Sequence, residues 1–332
     1  MKWILMVMMA AWPVAAQPKK LVDAQVQTRT VAGGLDKLLE SLATSQPQPA
    51  WAAYSVAAAR GRNFGCDHYW RDNEFAVAGS VVHLEPPREV MVLFRFHNNQ
   101  VSQIRTLAPD CEMSAGGAPF HWLNGVEASS SVAALASFVK PGSRLAESAV
   151  HAIGLHGGAA ADAALEKFLS RGQADSIRAA AVRWIGTTRG RRGLELLKPI
   201  LASDPSERMR KSVIHSIASS RDPVAFDMLA GAAKGDATPS VRGEALRSLA
   251  RKGGGKALAA IQSSIENEAS REVRREAVYA LRSFPDGEGI PALIQAARSH
   301  RDAEVRKQAM TALSQAKDSR AVAFFEDVLR TR

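Results

Sequence analysis

The sequence predicts a mainly α-helical protein, a right-handed α-solenoid of about six two-helix repeats preceded by a small amino-terminal α+β domain. Two observations predict this fold class. Five arginines recur every 32 residues, and the apolar residues around them recur at the same interval. The arginines are Arg178, Arg210, Arg242, Arg274 and Arg306. A fixed period of this length is typical of stacked units that bury their apolar faces against one another.

Each 32-residue period contains two amphipathic helices. Apolar residues lie one position before each arginine and three, four and seven positions after it, on one helical face. In the fifth copy these are Val305, Ala309, Met310 and Leu313. A second apolar pair follows sixteen and nineteen positions after each arginine, Val322 and Phe325 in that copy. Glycines and prolines between the two sets indicate a short turn, and stacking is needed to bury both stripes.

Residues 142–157 fit a degenerate first repeat. Ala149, Val150 and Ile153 occupy apolar positions, and Ala146 stands where the other copies have arginine. Terminal repeats are commonly atypical. The solenoid is therefore predicted to span residues 141–332.

The pattern Asp-x-x-(Val/Ile)-Arg-x-x-Ala-x-x-x-Leu is clearest from Asp302 to Leu313. It resembles the HEAT-like repeats of bacterial proteins, the short type also found in phycobilisome lyases. Asp175, Asp204 and Asp236 lie within one to three residues of the matching position, and Ser270 or Glu272 takes it in the fourth copy. The resemblance covers roughly residues 142–332. It implies an extended binding surface and does not name a ligand, because folds of this kind serve unrelated functions.

Two enzymes with such repeats do not fit the sequence. Deoxyhypusine hydroxylase carries paired His-Glu dipeptides for its iron centre, and this sequence has no His-Glu dipeptide. Phycobilisome lyases act on cytoplasmic pigment proteins, whereas this chain begins with an export signal. Residues 1–16 have the order of a secretory signal peptide, with Lys2, an apolar stretch at 4–11 and Val14-Ala15-Ala16 before the predicted cleavage point. An uncleaved anchor is the alternative.

We therefore expect an exported protein, periplasmic or extracellular, with no membrane span in the mature chain. Export disfavours nucleic acid as a partner. The two cysteines, Cys66 and Cys111, are an even pair in an oxidising compartment and predict a disulfide. The alternative is a metal site or thiol nucleophile formed with His68 and His121, but the spacing fits no standard zinc pattern. We expect no metal, no cofactor and no catalytic residue.

Residues 17–140 are predicted to form the α+β domain. Leu35, Leu38, Leu39 and Leu42 predict a helix within residues 18–45. Residues 50–59 are apolar and fit either a strand or a helix. The alternation in residues 89–107 predicts a β-hairpin with its turn at 97–100 and a first strand buried on both faces.

Residues 129–138 predict a helix that leads into the solenoid. Ser129 or Ser130 would be its amino-terminal cap.

The formal charge of +10 lies almost wholly in the solenoid. Residues 141–332 hold 31 basic and 22 acidic side chains, whereas residues 17–140 hold 11 of each. A basic surplus suits a protein partner with an acidic surface or segment, or an anionic polymer of the cell envelope. Solubility alone is the simpler explanation.

The positions one and five after each repeating arginine lie off the apolar stripe, and the resemblance implies that they face the concave groove. The binding candidates at these positions are Arg183, Lys211, His215, Arg247, Arg275, Tyr279 and Lys307. The arginine ladder itself is predicted to be structural, pairing with a capping Asp or Glu of its own or the next repeat.

The sequence thus predicts an exported, non-enzymatic binding or scaffold protein that uses the basic concave face of its solenoid. An enzyme or metal-binding protein with its site in the amino-terminal domain is one alternative. A binder of anionic envelope polymer is the other. The sequence does not name the partner or indicate the oligomeric state.

Overall fold

The computed structural model describes residues 20–45, 47–60, 64–66, 71–72, 75–78 and 85–330. The chain divides into two compact units, one ending at Phe168 and the other beginning at Leu169. The first unit includes residues 142–157, so the observed division falls after the degenerate repeat, whereas the predicted boundary preceded it.

The first unit is an α/β structure with two sheets. Its described strands are β1 (Leu21–Val22), β2 (Gln25–Thr30), β3 (Ala50–Ala57), β4 (Arg71–Asp72), β5 (Phe75–Ala78), β6 (Glu89–His97), β7 (Gln100–Leu107), β8 (Glu112–Ser114) and β9 (Pro119–Asn124). The larger sheet has the order β2-β9-β3-β6-β7, and the smaller has β1-β8-β5-β4. Strand β9 runs parallel to both β2 and β3, while β3, β6 and β7 are antiparallel neighbours.

The predicted hairpin is confirmed as β6 and β7. Its turn residues Asn98 and Asn99 both have positive φ, 54° and 56°, as a two-residue turn between twisted strands requires. Strand β6 is buried along most of its length, so the expectation of two covered faces is also confirmed. The ambiguous residues 50–57 form β3, a strand buried from Ala50 to Val56.

The helix predicted within residues 18–45 is confirmed as α1 (Leu35–Thr44), and strands β1 and β2, which were not predicted, precede it. The helix predicted at 129–138 is α2 (Ala128–Ser137), and its cap position is Glu127, which makes no side-chain cap bond. The predicted cap is therefore wrong, because the helix begins two residues earlier than a Ser129 cap would require and three earlier than a Ser130 cap would require.

The large sheet has a core on each face. Alternate residues such as Trp51, Met91 and Trp122 form one cluster with the disulfide between Cys66 and Cys111. On the other face Phe94 lies between the rings of Tyr54 and Phe138. Helices α1 and α2 pack on the hairpin side, followed by α3 (Ala146–Leu155) and α4 (Ala159–Phe168).

A buried chain of hydrogen bonds joins the sheet to α2 and α3. Tyr54 Oη lies 2.6 Å from Ser131 Oγ, and Ser131 Oγ lies 2.7 Å from His156 Nε2. His156 Nδ1 faces the carbonyl oxygen of Ala152 at 2.6 Å. Because a carbonyl only accepts, Nδ1 carries the proton, Nε2 accepts from Ser131, and Ser131 accepts from Tyr54. Burial raises the pKa of Tyr54, which keeps its hydroxyl a donor.

The second unit consists of five helix pairs. They are α5 (Asp175–Thr188) and α6 (Gly190–Ser203), α7 (Glu207–Ala218) and α8 (Pro223–Gly235), α9 (Pro239–Lys252) and α10 (Gly255–Asn267), α11 (Arg271–Ala280) and α12 (Ile290–Ser299), and α13 (Ala303–Ser314) and α14 (Ser319–Arg330). With α3 and α4, the described residues contain six pairs, as predicted. The first helices of successive pairs pack side by side. Gly186 of α5 permits this close approach, since a Cβ there would collide with Ser216 of α7.

Most residues of the predicted apolar stripes are buried. The exceptions are Phe226, Leu258 and Phe325, which are half-buried, and Met310 and Val322, which are exposed. Val305, Ala309 and Leu313 are buried, but Met310 is 39% exposed and Val322 is 58% exposed. Helix α14 instead buries Ala321 and Phe324, so its inward face is rotated by one residue. The smaller alanine allows α14 to lie close to its neighbours, as Ala225 and Ala257 do in α8 and α10.

Candidate binding surfaces of the solenoid

Three of the repeating arginines, Arg178, Arg210 and Arg242, bind carboxylates of the next repeat. Arg178 and Arg210 are buried, and Arg242 is half-buried. Arg210 Nε and Nη2 donate to the two carboxylate oxygens of Asp236 at 2.8 and 3.0 Å. Arg242 binds Glu268 in the same two-pronged manner, both distances being 3.0 Å. Arg178 binds Asp204. In each case the carboxylate lies 26 residues after the arginine, in the turn before the next first helix, so each pair joins two repeats.

The same arginines also bind the backbone before their own helix. Arg210 Nη1 donates to the carbonyl oxygen of Asp204 at 2.7 Å, and Arg242 Nη1 donates to that of Asp236 at 2.7 Å. Arg274 and Arg306 repeat this contact with the carbonyls of Glu268 and His300 at 2.8 and 2.7 Å. The carbonyls at the carboxyl end of one helix pair are thereby held against the next pair.

The carboxylates that the ladder binds form an acidic column of Asp204, Asp236 and Glu268. The sequence predicted pairing with a capping acid and placed Asp204 and Asp236 near the cap, but it offered Ser270 or Glu272 where the structure uses Glu268. Asp204, Asp236 and Glu268 each accept a backbone N–H two residues later, at 2.8 to 3.0 Å, besides binding an arginine. Burial alone would raise the pKa of Asp204, but the hydrogen bonds from Arg178 and the Ser206 amide outweigh burial and lower it. Asp204, Asp236 and Glu268 recur every 32 residues, so the period would have identified Glu268.

His300 takes the fourth place in this column. Its Nδ1 accepts the Asp302 N–H at 3.1 Å, as the carboxylates do in the earlier repeats. A histidine cannot supply the carboxylate, and Arg274 instead lies 3.6 Å from Asp302. The last tie is therefore longer than the others.

The seven groove candidates all lie on first helices, but they are not equally exposed. Arg183, His215, Arg275 and Lys307 are exposed, whereas Lys211, Arg247 and Tyr279 are half-buried. The structure brings two of them, His215 and Arg247, to one acidic side chain. These two contact the same carboxylate, Glu244, at 3.1 and 2.7 Å.

Acidic residues compensate several of these candidate cations. Lys211 lies 2.6 Å from Glu207, and Arg247 also binds Glu276. Burial alone would raise the pKa of Glu244, but the hydrogen bond and charge of Arg247 outweigh it and the pKa is lowered. The first-helix surface therefore carries both signs of charge, which the prediction of a basic face did not include.

An apolar groove lies between the second helices α6 and α8. It has a volume of about 830 Å³, and its walls include Leu201, Ala202, Met228, Gly231 and Ala232. Pro199 lies within α6 beside it and removes one backbone donor from the helix. Glu195, Lys198 and Asp227 stand at its rim.

Three of the four amino-terminal candidates lie within the described residues. Cys66 and Cys111 are joined in a disulfide, so the predicted pairing is present and neither sulfur is a thiol. His121 is buried on β9, where its Nδ1 accepts a hydrogen bond from Arg29 Nε at 3.3 Å. Burial, and then the charge of Arg29, lower the pKa of His121. His68 lies outside the described residues. Within those residues, no group of three His, Cys, Asp or Glu side chains is arranged to hold a metal.

Helix pairs are stacked in series, and an arginine at the equivalent position of one pair contacts the next. This arrangement defines an α-solenoid repeat protein. Residues 163–250 and 258–332 match the family of HEAT repeats, so this part of the chain consists of HEAT repeats. This agrees with the resemblance drawn from the Asp-to-Leu motif.

Several solved structures are similar in fold. YibA of E. coli is 22% identical over 46% of this chain and 57% of its own, with a TM-score of 0.33. The chain thus spans little more than half of YibA. A chain in the complex of CpcE and CpcF of phycocyanin lyase from Nostoc is 24% identical over 46% of this chain and 98% of its own, with a TM-score of 0.33. Human deoxyhypusine hydroxylase is 16% identical over 60% of this chain and 90% of its own, with a TM-score of 0.27.

No curated protein sequence matches the chain significantly. In the described ranges, no helix has the length and apolar character needed to cross a membrane. The predicted signal peptide at residues 1–16 lies outside those ranges.

Proposed function

We propose that this chain is an exported, non-enzymatic protein that binds a partner protein on its HEAT solenoid. The observation that carries the proposal is the set of five first helices, stacked side by side and tied by the arginine ladder. A framework fixed in this way loses little conformational entropy when a partner binds along it. Repeat solenoids use such extended surfaces for binding.

The exposed cations of the first-helix surface are the proposed contacts. Arg183, Arg275 and Lys307 are exposed on α5, α11 and α13. They suit an acidic surface or segment of the partner. Arg275 Nη2 lies 3.7 Å from Glu276, a distance beyond hydrogen bonding. Arg247 and Lys211 already bind carboxylates of the solenoid, so they hold the surface together more than they attract a partner.

Export is proposed from residues 1–16. The disulfide between Cys66 and Cys111 supports it, because disulfides persist in oxidising compartments and are rare in the cytosol.

Affinity capture from a cell-envelope extract tests the proposal. The bait is the full chain lacking residues 1–16, and bound proteins are identified by mass spectrometry at low and moderate salt. A triple variant, Arg183→Glu, Arg275→Glu and Lys307→Glu, should lose the partner. Arg247 is left intact because its reversal would place a third acid beside Glu244 and Glu276.

A matched control carries the same charge change elsewhere. Lys198, Arg208 and Lys234 are exposed and lie off the first-helix positions one and five after the arginines, so their reversal to Glu should retain the partner. Loss of capture in both variants would show a general charge effect and contradict the first-helix surface. Absence of any reproducible protein partner from the unaltered bait would contradict protein binding itself.

The basic surplus of the solenoid supports a second candidate function, binding of an anionic envelope polymer. Such binding would weaken steeply with salt and would retain polymer without a protein.

A further inference from the structure

The turns inside the helix pairs form one continuous edge of the solenoid. Neighbouring turns contact each other throughout. Arg191 Nε donates to Asp222 at 2.9 Å, and Lys252 Nζ donates to the carbonyl oxygen of Ser220 at 2.7 Å. Glu288 accepts the Gly254 N–H at 2.9 Å. We call this surface the turn edge and define it as residues 186–193, 218–225, 250–257, 282–289 and 314–321.

The last two turns are joined in the same way. Arg320 Nη2 donates to the carbonyl oxygen of Gly287 at 2.9 Å. The connections between successive pairs lie at the other ends of the helices. They are held together by contacts such as Arg171 Nη2 to the Ser203 carbonyl oxygen at 3.3 Å.

The two edges carry opposite charge. The turn edge contains ten basic and four acidic side chains. The windows displaced by half a period, 170–177, 202–209, 234–241, 266–273 and 298–305, contain six basic and nine acidic side chains. The surplus of positive charge therefore lies mainly on the turn edge, whereas the prediction from composition placed it on the first-helix surface.

Within the turn edge the charge is concentrated in the first three turns. Residues 186–193, 218–225 and 250–257 contain seven basic side chains and one acidic side chain, Asp222. Asp222 already accepts from Arg191 and from the Val224 amide as the cap of α8. Arg192, Arg221 and Lys256 are exposed, one in each turn.

We propose that these three turns bind an extended acidic segment of a partner protein. The spacing supports this partner. Packed helices lie roughly 10 Å apart, and three residues of extended chain also span roughly 10 Å. An acidic residue at every third position of an extended segment would therefore meet one turn after another. This inference rests on the proposed function as a protein binder and adds a surface separate from the first helices.

A lipid surface fits the same turns less well. The exposed large apolar residues of the described chain are Val22, Val26, Met310, Val322 and Leu329, and none of them lies in the three turns. Without apolar side chains to insert, the edge offers only charge and hydrogen bonds. The pairing of Arg191 with Asp222 shows that its guanidinium groups accommodate a carboxylate at hydrogen-bonding distance.

The experiment uses a fluorescent twelve-residue peptide with Asp at every third position and Ser or Gly between, titrated with the full chain lacking residues 1–16. Anisotropy should report saturable binding at low salt and weaker binding at higher salt, because the Debye length is then shorter. The same peptide with Asn in place of Asp should not bind.

The edge variant Arg192→Glu, Arg221→Glu and Lys256→Glu should raise the peptide Kd at least about tenfold, since three attractive contacts become repulsive. The matched control Lys198→Glu, Arg208→Glu and Lys234→Glu should change it by less than about threefold. Unchanged binding by the edge variant, or no binding by the unaltered chain at low salt, would overturn the proposal. Binding of polyphosphate with no binding of the peptide would overturn it in favour of a polymer.

The edge and the proposed function can fail separately. A partner that is captured from the envelope extract and retained by the edge variant would support protein binding but contradict binding at the turn edge. Conversely, peptide binding that requires the edge, with no protein captured from that extract, would support the edge as a site for acidic segments and contradict the proposed binding of an envelope protein.

Discussion

The contacts inside the two units of this protein span different distances along the chain. In the solenoid, the polar ties join residues about one repeat apart, such as Arg210 and Asp236, 26 positions apart. In the first unit, Tyr54 binds Ser131 across 77 positions, and Arg29 binds His121 across 92. Strand β2 pairs with β9, near the other end of the same unit.

This difference decides how each unit should respond to damage. A repeat contacts only its neighbours, so loss of one contact is felt locally and the rest of the array remains folded. The first unit closes long loops before its sheet is complete, and loss of one closure affects the whole sheet. Four measurements test this difference between the units.

The largest effect is expected from removing the disulfide. Replacing both Cys66 and Cys111 by Ser reopens a loop of 45 residues, which should lower the stability of the first unit by roughly 4 kcal/mol. The readout is hydrogen exchange followed by mass spectrometry, which resolves the two units by peptide. Protection should fall in β3, β6 and β9. An equal fall in α7 to α13 would contradict the division into separately stabilised units.

A core truncation tests the solenoid itself. Leu281 is 1% exposed, and Leu281→Ala should cost about 2–5 kcal/mol through lost burial and a cavity. The reduction in exchange protection should centre on α11 and its neighbours, while the first unit keeps its protection. A thermal midpoint that matches the unaltered protein would reject Leu281 as a core residue.

The ladder is tested by comparing two of its arginines. Arg210→Ala leaves Asp236, whose side chain is 6% exposed, without its cation. We expect a loss of about 2 kcal/mol, below the 3–5 kcal/mol typical of fully buried pairs because Arg210 is partly accessible. Arg306→Ala should cost less, since the described hydrogen bonds of Arg306 end on carbonyl oxygens and not on a carboxylate. Urea unfolding measures both, and equal losses would show that the carboxylate tie adds nothing.

The smallest effect is the pH dependence, which should differ between the units. The pKa of His121 is lowered in the folded state, so the unfolded chain binds the proton more readily as pH falls below about 6.5. The first unit should therefore lose stability as pH falls from 7 to 5. The pKa of Asp204 is also lowered, but its stabilising contribution is lost only as pH falls below about 4.

Urea unfolding at pH 7, 6 and 5 can isolate the first unit. In a Trp184→Phe background every remaining tryptophan precedes residue 123, so fluorescence reports on that part of the chain. The variant His121→Gln should flatten the slope between pH 7 and 5, because Gln accepts from Arg29 without titrating. A slope equal to that of the Trp184→Phe parent would show that another group causes it.

The predictability of each element follows the same contrast. The ladder, the two helices per repeat and the buried stripes could be predicted because similar residues recur at equivalent positions in five repeats. The hairpin was visible because its two strands are adjacent and Asn98-Asn99 suits its turn. Strands β1 and β2 were missed because their pairing depends on β8 and β9, about 90 residues further on.

The candidate surface shows the same limit. The candidate cations could be named from their positions relative to the ladder, but the acids that reach them from neighbouring repeats could not. His215 contacts Glu244 only because α7 and α9 pack side by side, whereas Arg247 and Glu244 lie three residues apart in α9. Val322 fell outside the core because α14 buries Ala321 and Phe324 instead, whereas Met310 is exposed although Val305, Ala309 and Leu313 of the same helix are buried.

By itself, the sequence determined the repeat, its period and its helices, since each follows from apolar spacing that acts locally. It also determined the cysteine pair and the overall excess of basic residues. Only the tertiary structure decided where that excess lies, because charges far apart in sequence become neighbours when turns 32 residues apart are stacked. Stacking placed basic side chains of the first helices beside acidic side chains of the neighbouring repeat. It also placed Arg192, Arg221 and Lys256 on one edge.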